Sequence, residues 1–431
     1  MTVSELLRGI SQCACGRSHT CPIHDVVIGA GVLSELPRLT EGYRHILLVA
    51  DENTYAVAGG EVRTLLGMRV ADELLYHTEP GQVLVPNEKA IAQMKARVTS
   101  ETDLILGVGS GVINDLCKHV SFVSGLPYYI VATAPSMDGY ASVGAALILD
   151  GMKVTLSAAV PRAIIADTNV LCAAPAEMIA AGYGDIIGKY SCLSDWKLAN
   201  LLFDEYLCPT VLDATYEAVE KTVRLTDGLA SRSPETIGAL MEALVAVGIL
   251  MAYVGNSRPA SGSEHHLSHY FEIVGIVRHE PYLPHGVDVF HSAVETARLR
   301  EQLANMEAPV PAPRLLDRAA YEREITRIYG SVAPEVLALQ ERLGWYTDEA
   351  VTRRHAAYCE KWDEVRRLLA NGPTADELLD LLTRAGLRHD DFIALYGEEK
   401  IADARFFAKD LKDRYTVLWL YDDLLGRTRQ K

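Results

Sequence analysis

Five short, almost unbroken apolar runs alternate with helix-period stretches between Asp25 and Asp167, and few folds accommodate that pattern. The runs are DVVIGAG, HILLVADENTY, DLILGVGSG, PYYIVATAPS and AIIAD. A strand that reads as continuously apolar is covered on both faces, and strands separated by helices return parallel to one another. Segments near 86–99 and 111–124 repeat apolar positions at helical spacing and can supply the covering layer. A mostly parallel, Rossmann-like α/β sheet is therefore expected. AALILDGMKVTLSAA adds two β-type runs around Asp150-Gly151-Met152-Lys153, the composition of a hairpin turn.

After about Leu171 the character changes. PAEMIAAGYGDIIGKYSCLSDWKLANLL and PETIGALMEALVAVGILMAYVG are rich in Ala and Leu at helical spacing, with hardly any strand-like alternation. The chain is expected to divide into a Cys-rich lead-in (1–24), a dinucleotide-binding α/β domain (25–170) and an all-α domain (171–431) that binds metal and substrate. APVPAP (308–313) reads as a loop between helices, and the charged 348–431 stretch as further helix.

The formal charge of -16, with no basic run to offset it, argues against nucleic acid as a partner. An anionic substrate then needs a local basic pocket. The start, MTVSELLRGISQC, lacks the basic and apolar segments of a secretory signal, and no apolar run approaches the ~18 residues of a membrane span, so the expected compartment is the cytoplasm. Of the eight cysteines, Cys117, Cys172, Cys192, Cys208 and Cys359 sit in apolar surroundings and read as reduced core residues. Cys13, Cys15 and Cys21 lie in CACGRSHTC with His19, and His24 follows. The segment reads as a turn-rich lead-in to the first strand. Zinc is the competing reading, against which stand the tight C-x-C spacing and the lack of a second half-site.

Three constellations carry chemistry. In LILGVGSGVIND a strand runs into Gly107, Gly109, Ser110 and Gly111 and a helix begins at once, so backbone N–H groups at the helix start can cradle a pyrophosphate. Tight β-to-α turns also want glycine for conformation alone. The next strand ends in Thr133-Ala134-Pro135-Ser136, then Met137-Asp138-Gly139, and open α/β sheets bind ligands at such strand ends, although a surface turn rich in Asp, Gly and Ser has the same composition. Asp51 closes HILLVAD and can accept a hydrogen bond from a ribose hydroxyl or simply begin a turn. The third constellation is Asp185 in GYGDIIGK, His265 in SGSEHHLSHYFE and His285 in LPHG, a carboxylate and two imidazoles suited to a catalytic divalent metal. His269, four residues after His265, shares its helix face, with His266 turned away. Arg258 in NSRPASG would add positive field for an anionic substrate.

Taken together, SRPASGSEHHLSHYFE, TAPSMDGYASVGA, AAGYGDIIGK, GVGSGVIND and LPHG resemble the glycerol-1-phosphate dehydrogenases, particularly the bacterial group. That family lies within the superfamily of iron-containing alcohol dehydrogenases and dehydroquinate synthase. The motifs occur in family order over roughly residues 25–300. The resemblance implies a Rossmann-like domain followed by a helical one, and hydride transfer between NAD or NADP and a small phosphorylated ketone, dihydroxyacetone phosphate. Asp185, His265 and His285 would hold one metal, zinc or nickel. Gly109 through Ile113, Thr133 through Ser136, Ser142 and Asp51 would contact the cofactor. Asp138, Asp185 and His269 would touch substrate, and a homodimer is implied. Alternatives are a dehydrogenase of another polyol or phosphorylated ketone, a dehydroquinate synthase-type lyase, and a non-enzymatic relative. CACGRSHTC stands outside the family pattern.

Overall fold

The computed structural model describes residues 1–79, 83–149 and 152–428. The chain forms two compact units, Met1–Ile186 with Asp213–Ser257, and Ile187–Leu212 with Arg258–Lys431.

The first unit is built on a six-stranded sheet. Its strands are β1 (Asp25–Gly29), β2 (Ile46–Asp51), β3 (Val70–Tyr76), β4 (Leu104–Gly109), β5 (Tyr128–Ala132) and β8 (Ala163–Asp167). They lie in the order β1-β8-β5-β4-β2-β3, every pair parallel. Ile46, Leu48, Leu104, Leu106 and Val131 share one buried face, while Leu47, Val49, Ile105 and Ile130 are buried on the other. Burial on both faces explains why these strands read as unbroken apolar runs.

β3 is the strand that the apolar runs did not reveal. VADELLY carries Asp72 and Glu73 because it lies at the sheet edge, where charge discourages pairing with another chain. The hairpin is present as antiparallel β6 (Gly144–Leu149) and β7 (Met152–Ser157), while Asp150 and Gly151 of its turn lie outside the described residues.

From β2 the chain passes outward to β3, whereas from β4 it passes the opposite way to β5. The segments leaving β2 and β4 therefore diverge at the carboxyl ends of two neighbouring strands, a topological switch point that opens a crevice. Asp51 and Gly109 stand at those two ends.

Two glycines let helices approach the loop after β5. A Cβ on Gly182, in the Ala176–Ile187 helix, would lie 1.8 Å from the Pro135 carbonyl oxygen. A Cβ on Gly248, in the Pro234–Val254 helix, would lie 2.8 Å from the Asp138 carbonyl oxygen. That second helix corrects the sequence expectation on membrane spans, since it is long and apolar enough to cross one. Most of its apolar length is buried, and its all-round apolarity is that of a core helix.

The second unit is helical. Its core gathers Leu198, Tyr270, Phe271, Tyr329, Trp362, Phe392 and Trp419, drawing helices from residue 348 to residue 425 into one packed body. Arg354 is buried there against Asp423, with Nε–Oδ2 at 2.6 Å and Nη2–Oδ1 at 2.8 Å. The cysteine reading needs one correction: Cys117, Cys192 and Cys208 are buried, but Cys172 is half-buried and Cys359 is exposed beside His355.

Gly182→Ala should cost roughly 1–3 kcal/mol or more, because the new methyl meets backbone that cannot swing aside. Thermal unfolding should show a Tm several degrees lower, whereas Gly42→Ala, with open space at its Cβ, should leave the Tm near that of the parent. Equal Tm values for the two variants would contradict the packing account.

Candidate active site

The glycine turn after β4 and the loop after β5 both lie in the first unit. β4 ends at Gly109, and Ser110 is the N-cap of the Gly111–Ser124 helix without a side-chain capping bond. A Cβ on Gly109 would lie 2.6 Å from Cβ of Ile113, and one on Gly107 would lie 2.8 Å from the Cys117 sulfur. The glycines thus let the helix start directly above the strand end. Its first-turn N–H groups, on Gly111, Val112 and Ile113, have no intrahelical acceptor and form the anion-seeking end of the helix dipole. Thr133 N–H donates to the Gly109 carbonyl at 3.1 Å, joining the turn after β4 to the Thr133–Ser136 segment.

That segment is fixed from below. The Tyr140 hydroxyl donates to the Ala134 carbonyl at 2.7 Å. Lys118 is fully buried and donates to the Gly139 carbonyl, the Ser142 hydroxyl at 2.8 Å and the Gly144 carbonyl at 2.9 Å. Ser142 in turn donates to Gly139 at 3.1 Å. Burial lowers the Lys118 ammonium to about 8, against the opposing pull of Asp115 and Asp138. Lys118 is thus the post that holds the 138–144 segment.

Asp51 serves its own turn. Its carboxylate accepts from Thr54 N–H at 2.9 Å, and the Thr54 hydroxyl accepts from Asp51 N–H at 3.0 Å. Asp138 and Asp185 are brought together: the Asp185 carboxylate is buried and accepts the Asp138 N–H at 2.9 Å.

The imidazoles belong to the second unit. His265 and His269 lie one turn apart on the Ser263–Arg278 helix, and His285 opens the His285–Ala304 helix. Their ring centroids stand 5.1 Å (His265 to His285), 5.4 Å (His269 to His285) and 6.2 Å (His265 to His269) apart. The geometry therefore groups His269 as closely with His285 as His265. His265 is buried, and its Nδ1 lies 2.6 Å from the Glu264 carboxylate, which also accepts Gly262 N–H at 2.9 Å. A carboxylate on Nδ1 holds the proton there and leaves Nε2 as the donor atom for a metal. Nδ1 of His285 lies 3.2 Å from the Ser268 hydroxyl. Half-buried His269 and His285 leave the group open to a ligand. This donor set fits a divalent metal.

His266 lies 100° further round the helix. It is fully buried, and neither ring nitrogen has a hydrogen-bond partner among the described residues. Burial, followed by the nearby charges of Arg414, Lys412 and Arg258, pushes it well below the usual histidine range, so it is a neutral packing group. Arg258 is buried and fork-paired with Glu205, with Nε–Oε1 at 2.5 Å, and it donates to the Tyr415 carbonyl at 2.9 Å.

Two supporting carboxylates escaped sequence reasoning. Asp195 is buried and accepts Ser263 N–H and Val417 N–H, each at 2.7 Å. Burial, with Glu264 adding to it, raises its carboxyl to about 6. Asp288 accepts the Tyr396 hydroxyl at 2.9 Å on both oxygens, and that hydroxyl accepts Leu283 N–H at 2.9 Å, bracing the chain on either side of His285. The only sequence signal was an acidic residue inside an apolar helical pattern.

A parallel sheet with a glycine turn at its switch point is the architecture of dinucleotide-binding α/β domains. Residues 27–175 match the iron-containing alcohol dehydrogenase family. The fold is that of sulfoacetaldehyde reductase from Bifidobacterium kashiwanohense, solved with NAD+, at a TM-score of 0.59 and 16% identity over 95% of this chain and 98% of that one. Glycerol-1-phosphate dehydrogenase (NAD(P)+) from Halalkalibacterium halodurans is 39% identical over 62% of this chain and 68% of its own length. The enzyme of the same name from Geobacillus stearothermophilus is 32% identical over 79% and 92%. The chain belongs to the glycerol-1-phosphate dehydrogenases, a family of oxidoreductases.

The Lys118 ammonium gives a pH test. Because its folded pKa lies near 8, below the ordinary 10.5, the folded chain sheds this proton first and stability rises with pH through that window. The contribution is a few kcal/mol, full only above about pH 10. Denaturant titrations of the parent and Lys118→Met from pH 7 to 10 should show the upward component in the parent alone; identical slopes would contradict it.

Proposed function

We propose that the protein interconverts dihydroxyacetone phosphate and sn-glycerol 1-phosphate by NAD(P)-linked hydride transfer. The observation that carries this reading is the convergence of His265, His269 and His285, with Nδ1 of His265 held by Glu264, in a chain of this family. His265 and His285 would hold a divalent ion, zinc or nickel, with Asp185 as the carboxylate ligand that the family resemblance implies. Such an ion supplies Lewis acidity at a carbonyl, and the nicotinamide supplies the hydride.

The chain's own residues do the remaining work. The first-turn N–H groups of Gly111, Val112 and Ile113 would receive the cofactor pyrophosphate. Asp51 would accept from a ribose hydroxyl, which favours NAD without barring NADP. Asp138, held by its backbone on Asp185, would accept from a substrate hydroxyl. His269 would carry the proton to the developing C2 alkoxide. Arg258 contributes field to the anionic substrate through a guanidinium already paired with Glu205. A dehydroquinate synthase-type reaction finds less support, because the buried cations Lys118 and Arg258 are already engaged in holding the fold. We further assign the enzyme to the cytoplasm and, by the same resemblance, to a homodimer.

The test follows NADH and NADPH absorbance with dihydroxyacetone phosphate, dihydroxyacetone and other phosphorylated ketones, in zinc and in nickel. Dihydroxyacetone phosphate should be reduced fastest. His269→Ala should retain its metal and lose roughly 10²–10⁴-fold in turnover. Equal turnover in that variant would remove His269 from the chemistry, and reduction of every ketone except dihydroxyacetone phosphate would refute the assigned substrate.

A further inference from the structure

The cysteine-rich segment ahead of β1 takes no part in the reaction described above, yet it is ordered around a specific geometry. Ile10 and His19 pair across an antiparallel bridge, each N–H donating to the other's carbonyl at 2.8 Å. Gly9, at φ 72°, lets the strands close: a Cβ there would lie 2.6 Å from the His19 carbonyl oxygen. Inside the bridge, Gly16 N–H donates to the Cys13 carbonyl at 2.9 Å, and Gly16 takes a left-handed φ of 80°. This turn brings the donor atoms of Cys13, Cys15 and His19 within 4.8 Å of one another, with Cys15 Sγ 3.2 Å from His19 Nε2. Ligand atoms around a tetrahedral zinc, at about 2.0–2.3 Å from the ion, lie roughly 3.5 Å apart.

His19 is oriented as metal-binding histidines are. It is buried at 1% exposure, its ring stacks on Tyr253 with centroids 5.2 Å apart, and its Nδ1 lies 2.9 Å from the Tyr253 carbonyl. A carbonyl can only accept, so Nδ1 carries the proton and Nε2 presents its lone pair toward the thiols. The Tyr253 hydroxyl donates in turn to the Leu6 carbonyl, tying the same helix to the Val3–Leu7 helix. The short C-x-C spacing, which argued against zinc in the sequence, is offset by the turn that folds His19 back over both thiols.

We propose that Cys13, Cys15 and His19 bind a structural zinc ion, distinct from the metal of the dehydrogenase reaction, which clamps the lead-in segment onto Tyr253 of the Pro234–Val254 helix. Two thiolates cancel the charge of the ion, their protons pass to solvent on binding, and a fourth donor, thiolate or water, completes the tetrahedron.

Metal analysis of the zinc-loaded protein tests this directly. The parent should hold two ions per chain and Cys13→Ser/Cys15→Ser one, with dehydrogenase turnover retained. His265→Ala should keep the clamp ion and lose the other together with turnover. The cobalt-substituted parent should show a thiolate-to-cobalt charge-transfer band in the near ultraviolet that the double variant lacks. Should the double variant fail to fold, alkylation of the parent decides: zinc should protect Cys13 and Cys15, and a chelator should expose them. Equal alkylation with and without zinc, no cobalt–thiolate band, or a Cys13–Cys15 disulfide in the purified protein would each overturn the proposal. Absence of ketone reduction with the cobalt–thiolate band intact would refute the dehydrogenase reading and support the clamp.

Discussion

A single buried carboxylate underlies the histidine group. Asp195 caps two chain segments at once, accepting N–H of Ser263, where the helix of His265 and His269 begins, and of Val417, where the Val417–Leu425 helix begins. Gly262 makes this approach possible, since a Cβ there would lie 2.6 Å from both the Asp195 carboxylate and the Cys192 Cα. With the helix start pinned, Glu264 can turn back to Gly262 N–H and to Nδ1 of His265. The orientation of one imidazole thus descends from a buried carboxylate at the start of its helix.

The first unit uses the same logic with different groups. Gly182 and Gly248 admit two helices to the loop after β5, and Lys118 draws the carbonyls of Gly139 and Gly144 around its ammonium. Keeping a lysine in a dry site costs free energy, which the three acceptors around it offset only in part, as its lowered pKa records. What this secures is a rigid path for Thr133 through Ser142, alongside the glycine turn at the sheet's switch point.

Much of this was legible in the sequence because it rests on local pattern. Buried parallel strands announce themselves as apolar runs, and the glycine turn after β4 follows from helix-on-strand packing. The spacing of His265 and His269 follows from the helix period. β3 was not legible, because an edge strand carries charges that break the apolar run. The return of residues 213–257 to the first unit is a long-range packing result with no local signature. The supporting carboxylates Asp195 and Asp288 look like surface acids in the sequence, and only tertiary neighbours reveal them as pins. The gathering of the CACGRSHTC donors was not legible either, since the turn that brings them together depends on the bridge between Ile10 and His19.

We propose that ketone reduction depends on a metal held by His265 and His285, with Asp185 as the carboxylate ligand that the family resemblance implies. Anomalous diffraction at the metal edge, from crystals of active enzyme loaded with zinc or nickel, tests it most directly. A peak is expected at about 2.0–2.2 Å from an imidazole nitrogen of His265, one of His285 and the Asp185 carboxylate. A peak coordinated by His266 in place of His265, or active crystals with no peak at His265, would contradict it.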